Sequence, residues 1–241
     1  MEEIHELLGY ERIKIIQKDD ILRFSLDSML LADFVDTKNS KEIIDLGCGN
    51  APIPLFLTLK TDSKIIGIDI QEDVCDLATR SVKLNNLDNQ IEIICNNIKD
   101  IYKVVGANRF DIVTTNPPYF KYRKSSIINK NDYLTIARHE VLITLEEIVS
   151  EAKKLLIDGG YFYMVHRADR LSDILLSLKN EGFGVKRIRF VYTKSNDDNA
   201  LLVLIGARKN KPSDVKVLKP LYIYNEDKTY TDEVKKIFNF K

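Results

Sequence analysis

Apolar residues in this chain come in short blocks, and the spacing inside each block predicts its conformation. Residues 41–46 and 65–69 are short apolar runs, built on Ile43, Ile44 and Leu46 and on Ile65, Ile66 and Ile68, the pattern of strands packed in a sheet core. Residues 90–95, 110–114 and 161–165 read the same way and give a third, fourth and fifth strand. Between them the period lengthens. Residues 72–85 place Val74, Leu77, Ala78, Val82 and Leu84 on one side of a helix that ends in the turn chemistry of Asn85-Asn86-Leu87-Asp88-Asn89. Residues 144–156 form another amphipathic helix, opened by Thr144 with Glu147 three positions on and stopped by Asp158-Gly159-Gly160. Residues 171–180 give a third helix, closed by Gly182. Residues 52–59 are apolar enough for a helix packed on a sheet, with Pro52 in the first turn. Upstream, residues 10–17 alternate like a hairpin arm, and residues 25–35 carry Leu26, Met29, Leu30 and Phe34 on one helical face.

Strand and helix alternate from 41 to 180. Two strands, 185–192 and 201–207, then follow with only a polar turn between them. That order predicts an α/β fold, a doubly wound parallel sheet with a terminal antiparallel hairpin. Residues 1–40 are expected to be a short N-terminal extension packed on the core, and 41–241 a single domain. The tail from 208 adds one apolar run, Leu221-Tyr222-Ile223-Tyr224.

Two loops carry the chemistry. Asn116-Pro117-Pro118-Tyr119 follows directly on the fourth strand and opens about 25 residues without periodicity, a length that marks a functional or disordered loop. Two successive prolines stiffen the backbone and keep its carbonyls out of a helix. The Asn116 side-chain oxygen and the Pro117 carbonyl can then converge on one small donor, such as an exocyclic amino group, with the Tyr119 ring against its planar host. The plainer reading is a strand-ending turn. The other loop, Gly47-Cys48-Gly49, lies between the first strand and a helix start, where glycines permit tight turning and close approach of a ligand. Pro52 stands where a dinucleotide fingerprint would have its third glycine. Asp69 ends the next strand about twenty residues on, where a carboxylate reads ribose hydroxyls. The two pieces imply a cofactor containing a nucleoside.

Composition narrows the class. The 241 residues are 44% hydrophobic, enough to fill one large core. No apolar run approaches the roughly 18 residues of a membrane span, and Met1-Glu2-Glu3 resembles no export signal. Cys48, Cys75 and Cys95 have no metal-type spacing, and their odd number suits a reducing cytoplasm rather than a disulfide scaffold. No metal is expected, since His5, His139 and His166 lack zinc-type partners in sequence. The 36 basic and 36 acidic residues balance, but basic residues cluster. Lys121, Arg123, Lys124 and Lys130 follow the Asn-Pro-Pro-Tyr loop; Lys186, Arg187, Arg189 and Lys194 form a second group. Either group can hold nucleic acid by its phosphates, or simply coat the surface.

The chain resembles the class I S-adenosylmethionine-dependent methyltransferases. Within them it is similar to the bacterial adenine-N6 methyltransferases of the anticodon loop of a valine tRNA. The resemblance rests on Asp45-Leu46-Gly47-Cys48-Gly49, Asp69 and Asn116-Pro117-Pro118-Tyr119, and on further stretches. These are Phe24-Ser25-Leu26-Asp27-Ser28-Met29-Leu30-Leu31-Ala32, Arg80-Ser81-Val82-Lys83-Leu84-Asn85, Ala137-Arg138-His139-Glu140 and Phe162-Tyr163-Met164-Val165-His166-Arg167. It implies a seven-stranded sheet whose last strand lies antiparallel beside the fifth. It also implies S-adenosyl-L-methionine as cofactor, held by Asp45, Gly47, Gly49, Asp69, Ile70, Asn97 and Asn116. Asn96-Asn97 stands where such enzymes usually carry an Asp for the adenine amino group; an Asn oxygen can still accept that bond. Asn116, Pro117 and Tyr119 would be catalytic. Tyr119, Phe120, Lys121, Arg123, Lys124, Arg138 and His139 would hold tRNA, the implied partner; no membrane and no obligatory protein partner is inferred. Methylation of another planar amino group, in a base or a protein glutamine, and a lapsed enzyme that only binds cofactor or RNA, are the rival readings.

Overall fold

The computed structural model describes residues 1–18, 25–119 and 143–240. A hairpin comes first, β1 (Glu2–Leu7) and β2 (Tyr10–Lys18), followed by α1 (Leu26–Phe34). The sheet then builds from β3 (Glu42–Leu46), α2 (Pro52–Leu57), β4 (Lys64–Asp69), α3 (Glu72–Leu84), β5 (Ile91–Cys95), α4 (Tyr102–Val105) and β6 (Phe110–Thr115). After the undescribed stretch come α5 (Leu145–Leu155), β7 (Leu156–Arg167), α6 (Leu171–Asn180), β8 (Phe183–Lys194) and β9 (Leu202–Lys209). The tail supplies β10 (Lys216–Val217), β11 (Leu221–Tyr224) and α7 (Asp232–Phe238).

The sheet order is β8-β9-β7-β6-β3-β4-β5, parallel except for β9, which runs antiparallel between β7 and β8. All seven expected strands are therefore present. The tail extends the sheet, because β10 and β11 both pair in parallel with β8, giving nine strands among the described residues. From β3 the chain winds outward through β4 to β5, then returns to β6 on β3's other side. This reversal opens a crevice at the carboxyl ends of β3 and β6, the usual ligand site of an open α/β sheet.

Alternating side chains of the sheet feed two cores. Ile43 and Ile65 face a cluster with Leu7, Ile15, Met29, Leu55, Val82 and Phe238, from the hairpin, α1, α2, α3 and α7. Ile44 and Ile66 face the opposite cluster with Val105, Ile148 and Ile174, from α4, α5 and α6. No helix among the described residues is long and apolar enough to cross a membrane.

Local chemistry sets the start of α5. The capping box forms: Thr144 Oγ1 accepts from Glu147 N at 3.3 Å, and Thr144 N donates to Glu147 Oε2 at 2.8 Å. The expected stop at Asp158-Gly159-Gly160 is instead a bulge inside β7. Phe110 pairs with Leu156 and Ile112 with Tyr161, so the extra residues loop out and the strand resumes. Strand β2 docks on α3, where Ile16 N donates to Ser81 Oγ at 2.9 Å and Lys14 N to Asn85 Oδ1 at 2.8 Å. The hairpin turn meets the last helix: Gly9 N donates to Phe238 O at 2.9 Å, and Asn239 Nδ2 donates to Gly9 O at 2.9 Å.

Candidate active site

Strands β3 and β6 are direct neighbours, with Leu46 opposite Thr115. The glycine loop and the Asn-Pro-Pro-Tyr loop therefore leave the sheet side by side, one residue beyond that pair. Gly47 and Gly49 have φ of +74° and +57°, and a Cβ built on either would meet no atom within 4 Å. Both need the left-handed backbone, and both border open space that a ligand can enter. Gly47 N and Cys48 N donate to Ile68 O at 2.9 and 2.8 Å, which fixes the loop on β4.

Asp45 lies beneath this loop, wholly buried. Its Oδ1 accepts from Thr114 Oγ1 at 2.7 Å, while Oδ2 is buried with no hydrogen-bond partner among the described residues. Burial pushes its carboxyl up to about 8, opposed by the Thr114 bond and reinforced by the charge of Asp69. An orphaned buried carboxylate oxygen beside an open glycine cradle fits a ligand that brings a cation or an N–H donor. Asp69 is held by two backbone donors, Gly49 N on Oδ2 at 3.0 Å and Gln71 N on Oδ1 at 3.1 Å. Burial raises its pKa despite them. Each oxygen keeps a lone pair for a hydroxyl donor. Ile70 beside it is 38% exposed, an apolar platform at the crevice edge. Asn97 sits after β5, its Oδ1 accepting from Lys99 N at 2.9 Å, so this acceptor is partly committed to its own turn.

Asn116 is half-buried and Pro117 buried at the end of β6. The Asn116 amide is fixed at both ends. Its Nδ2 donates to Ser28 Oγ at 2.9 Å and, more weakly, to Ser25 Oγ at 3.4 Å. Its Oδ1 lies 2.8 Å from the Tyr119 hydroxyl, which is also 2.7 Å from Asp27 Oδ2. The Tyr119 ring packs beside His166 with centroids 5.1 Å apart. His166 is itself buried, accepts from Arg167 N at 2.8 Å and is pushed down to about 4 by burial, then by the charge of Arg170. The expected stacking face of Tyr119 is thus accompanied by a hydroxyl tied into a polar network.

Sequence reasoning assigned no role to Ser25, Asp27, Ser28 or Thr114. The first three lie in the Phe24-to-Ala32 stretch that carried the resemblance, which was the available signal; Thr114 gave none. Phe120, Lys121, Arg123, Lys124, Arg138 and His139 lie outside the described residues. The later basic group does not gather at the site. Lys186 pairs with Asp214, and Arg189 with Glu233 at 2.7 Å. Arg187 caps the Phe34 and Tyr163 rings and donates to Phe34 O at 2.6 Å. No cluster of three metal-ligating side chains occurs among the described residues.

Known proteins resemble this chain in sequence and in fold. A tRNA1(Val) (adenine(37)-N6)-methyltransferase of Phocaeicola vulgatus is 23% identical over 209 residues, covering 86% of this chain and 87% of its own. The enzyme of the same name from Porphyromonas gingivalis is 28% identical over 178 residues, covering 71% and 69%. Among solved structures, a predicted O-methyltransferase from Agrobacterium tumefaciens superposes with a TM-score of 0.70 at 19% identity, covering 89% of this chain and 96% of its own. TrmK of M. capricolum, solved with its natural cofactor product S-adenosyl-homocysteine, superposes with a TM-score of 0.56 at 20% identity, covering 79% and 71%. Residues 23–181, well over half the sequence, match one family directly: the chain belongs to the methyltransferase small domain family.

Proposed function

We propose that the chain transfers a methyl group from S-adenosyl-L-methionine to N6 of an adenine in the anticodon loop of a tRNA, position 37 of a valine tRNA being the first candidate. The observation that carries this is the pairing of two loops at the switch point: an acceptor set for an amino group, Asn116 and Pro117, beside a cradle for a cationic nucleoside cofactor. The names borne by the Phocaeicola and Porphyromonas relatives agree with it.

S-adenosyl-L-methionine would supply an electrophilic methyl on a sulfonium. Gly47 and Gly49 would border its methionine part, with Asp45 Oδ2 toward a positive or N–H group. Asp69 would take the ribose hydroxyls, and Ile70 and Asn97 the adenine ring. Asn116 Oδ1 and the Pro117 carbonyl would each accept one N–H of the target amino group. Two such bonds favour a pyramidal nitrogen whose lone pair is aimed at the methyl, so most of the rate comes from positioning and from stabilising charge that develops on nitrogen. No base is needed before attack, because the protonated product is strongly acidic. The target base must leave its stack to reach this depth. Tyr119, Phe120, Lys121, Arg123, Lys124, Arg138 and His139 are proposed to receive the RNA, aromatic rings meeting unstacked bases and cations meeting phosphates.

The test is methylation of tRNA prepared without this modification, using methyl-labelled cofactor, with nucleosides resolved by mass spectrometry. N6-methyladenosine mapped to the anticodon loop is expected. Label appearing on a protein glutamine, with deproteinised tRNA left unmodified, would overturn the substrate while leaving the fold and cofactor sites intact.

A further inference from the structure

The two acceptors assigned above to the target amino group, Asn116 Oδ1 and the Pro117 carbonyl, are not equally secure. The Pro117 carbonyl is backbone, and two successive prolines stiffen it. Asn116 Oδ1 ends a side chain whose last torsion is soft. Its accuracy therefore depends on what grips the amide. That grip comes from the start of α1, 88 and 91 positions away in the chain. Asn116 Nδ2 lies 2.9 Å from Ser28 Oγ and 3.4 Å from Ser25 Oγ, so two hydroxyl oxygens stand within reach of its two hydrogens. Oδ1 has the Tyr119 hydroxyl at 2.8 Å and a second lone pair over for an incoming donor.

We propose that Ser28, seconded by Ser25, is a positioning residue for methyl transfer: it holds the Asn116 amide in the place from which Oδ1 accepts from the target nitrogen. This rests on the amino-methylation reading above. A hydroxyl either accepts or donates, so what Ser28 fixes is the plane and reach of the amide. Ser28 touches Asn116 and acts through it. No bond of the reaction is made or broken at the serine.

Helix α1 departs from ordinary helix chemistry where it meets Asn116. Ser25 is its N-cap residue, a place where a serine oxygen usually accepts from a backbone N–H of the first turn. Ser25 makes no such bond, and its Oγ faces Asn116 instead. Ser28, three residues on, lies on the same face and is only 6% exposed, so water has little access to compete for its hydroxyl. The helix can hold a distant side chain because its own far end is tied down. Lys60 Nζ donates to Ala32 O at 3.0 Å and to Asp33 O and Val35 O at 2.6 Å. Arg187 Nη2 donates to Phe34 O at 2.6 Å. Two cations thus take up four carbonyls at the C-terminal end of α1, where the helix leaves acceptors unsatisfied and favours positive charge. Met29, Leu30 and Leu31 seat the middle of the helix in the core. A local preference is given up at the N-cap, and the gain is a rigid seat for Asn116.

The discriminating variant is Ser28→Ala, measured for cofactor affinity by calorimetry, for KM on tRNA and for kcat. A loosened amide predicts kcat lower by about 10- to 100-fold, the scale of a small misplacement of a reacting group. Cofactor affinity and KM should stay near wild type. Ser28→Thr, which keeps the hydroxyl, should stay close to wild type in kcat as well. Nitrogen-15 NMR of the Asn116 side-chain NH₂, identified by its disappearance in Asn116→Ala, needs no turnover. In the wild-type protein its hydrogens should exchange with water more slowly than those of exposed asparagines, and Ser28→Ala should remove that protection. A wild-type kcat in Ser28→Ala, a change confined to KM or cofactor affinity, equal losses in the Ala and Thr variants, or an Asn116 amide that exchanges like an exposed one overturns the proposal. If Ser28→Ala does not fold, Ser28→Cys decides, since it keeps the shape and weakens the acceptor. An undiminished kcat there overturns the proposal, and a fall in kcat with cofactor affinity intact supports it. Wild-type enzyme that methylates no tRNA adenine overturns the reading beneath; an active wild type beside an unaffected Ser28→Ala overturns the positioning alone.

Discussion

Asp45 is stabilising to the fold when protonated and useful to a cationic ligand when ionised. Its ordinary pKa of 3.8 rises to about 8 through burial, so the folded state binds its proton more tightly than the unfolded chain. Its contribution to stability is complete below about pH 4 and fades as pH climbs to about 8. Asp45→Asn, neutral throughout, should therefore melt higher than the parent at pH 8 and close to it at pH 4, by scanning calorimetry. The same variant should bind S-adenosyl-L-methionine more weakly. Asp69→Ala should cost about 1.5–3 kcal/mol of cofactor binding, the worth of hydrogen bonds to a charged group. Unchanged affinity by titration calorimetry would remove Asp69 from the site. Asn116→Ala should abolish turnover and leave cofactor affinity nearly intact; a variant with half the parent kcat would end the amino-methylation reading. These residues are legible in sequence because each belongs to a contiguous motif whose backbone chemistry is local. Asp27 and Ser28 are not, since they meet Tyr119 and Asn116 from 92 and 88 positions away.

Elements show the same division between local and distant causes. The parallel strands are legible because burial in the sheet leaves short clusters of aliphatic residues, and α3 and α5 because one face alone is apolar. Helix α4 and strands β10 and β11 are too short to carry a period. The β7 bulge hides because Asp-Gly-Gly is equally good grammar for a helix stop. Strand β2 is half legible: its alternation is clear, but its seat is not. That seat is α3, where Ser81 and Asn85 take the place of a neighbouring strand. Ser81→Ala should leave the buried Ile16 amide unpaired and cost about 1–3 kcal/mol, read as a lower urea midpoint with unchanged slope. A midpoint equal to the parent's would show that the hairpin does not depend on this bond.

Over the whole molecule, the balanced charge conceals an uneven deployment of cations. Lys186, Arg187 and Arg189 are occupied by Asp214, by Phe34 and Tyr163, and by Glu233, so they are poor phosphate ligands. Neutralising Lys186 and Arg189 should leave the salt dependence of tRNA affinity unchanged. Neutralising Lys121, Arg123 and Lys124 together should flatten its slope by about 2–3, one counterion or slightly less per phosphate contact, with cofactor binding unaffected. Filter binding across a salt series separates the two outcomes, and equal slopes in all variants would move the RNA elsewhere. The meeting of Gly9 with Phe238 bears on how the molecule is made. Gly9 and Asn239 lie 230 positions apart, so their contact closes a far longer loop than the seat of β2 on α3, and the hairpin should settle on α3 before its turn meets α7.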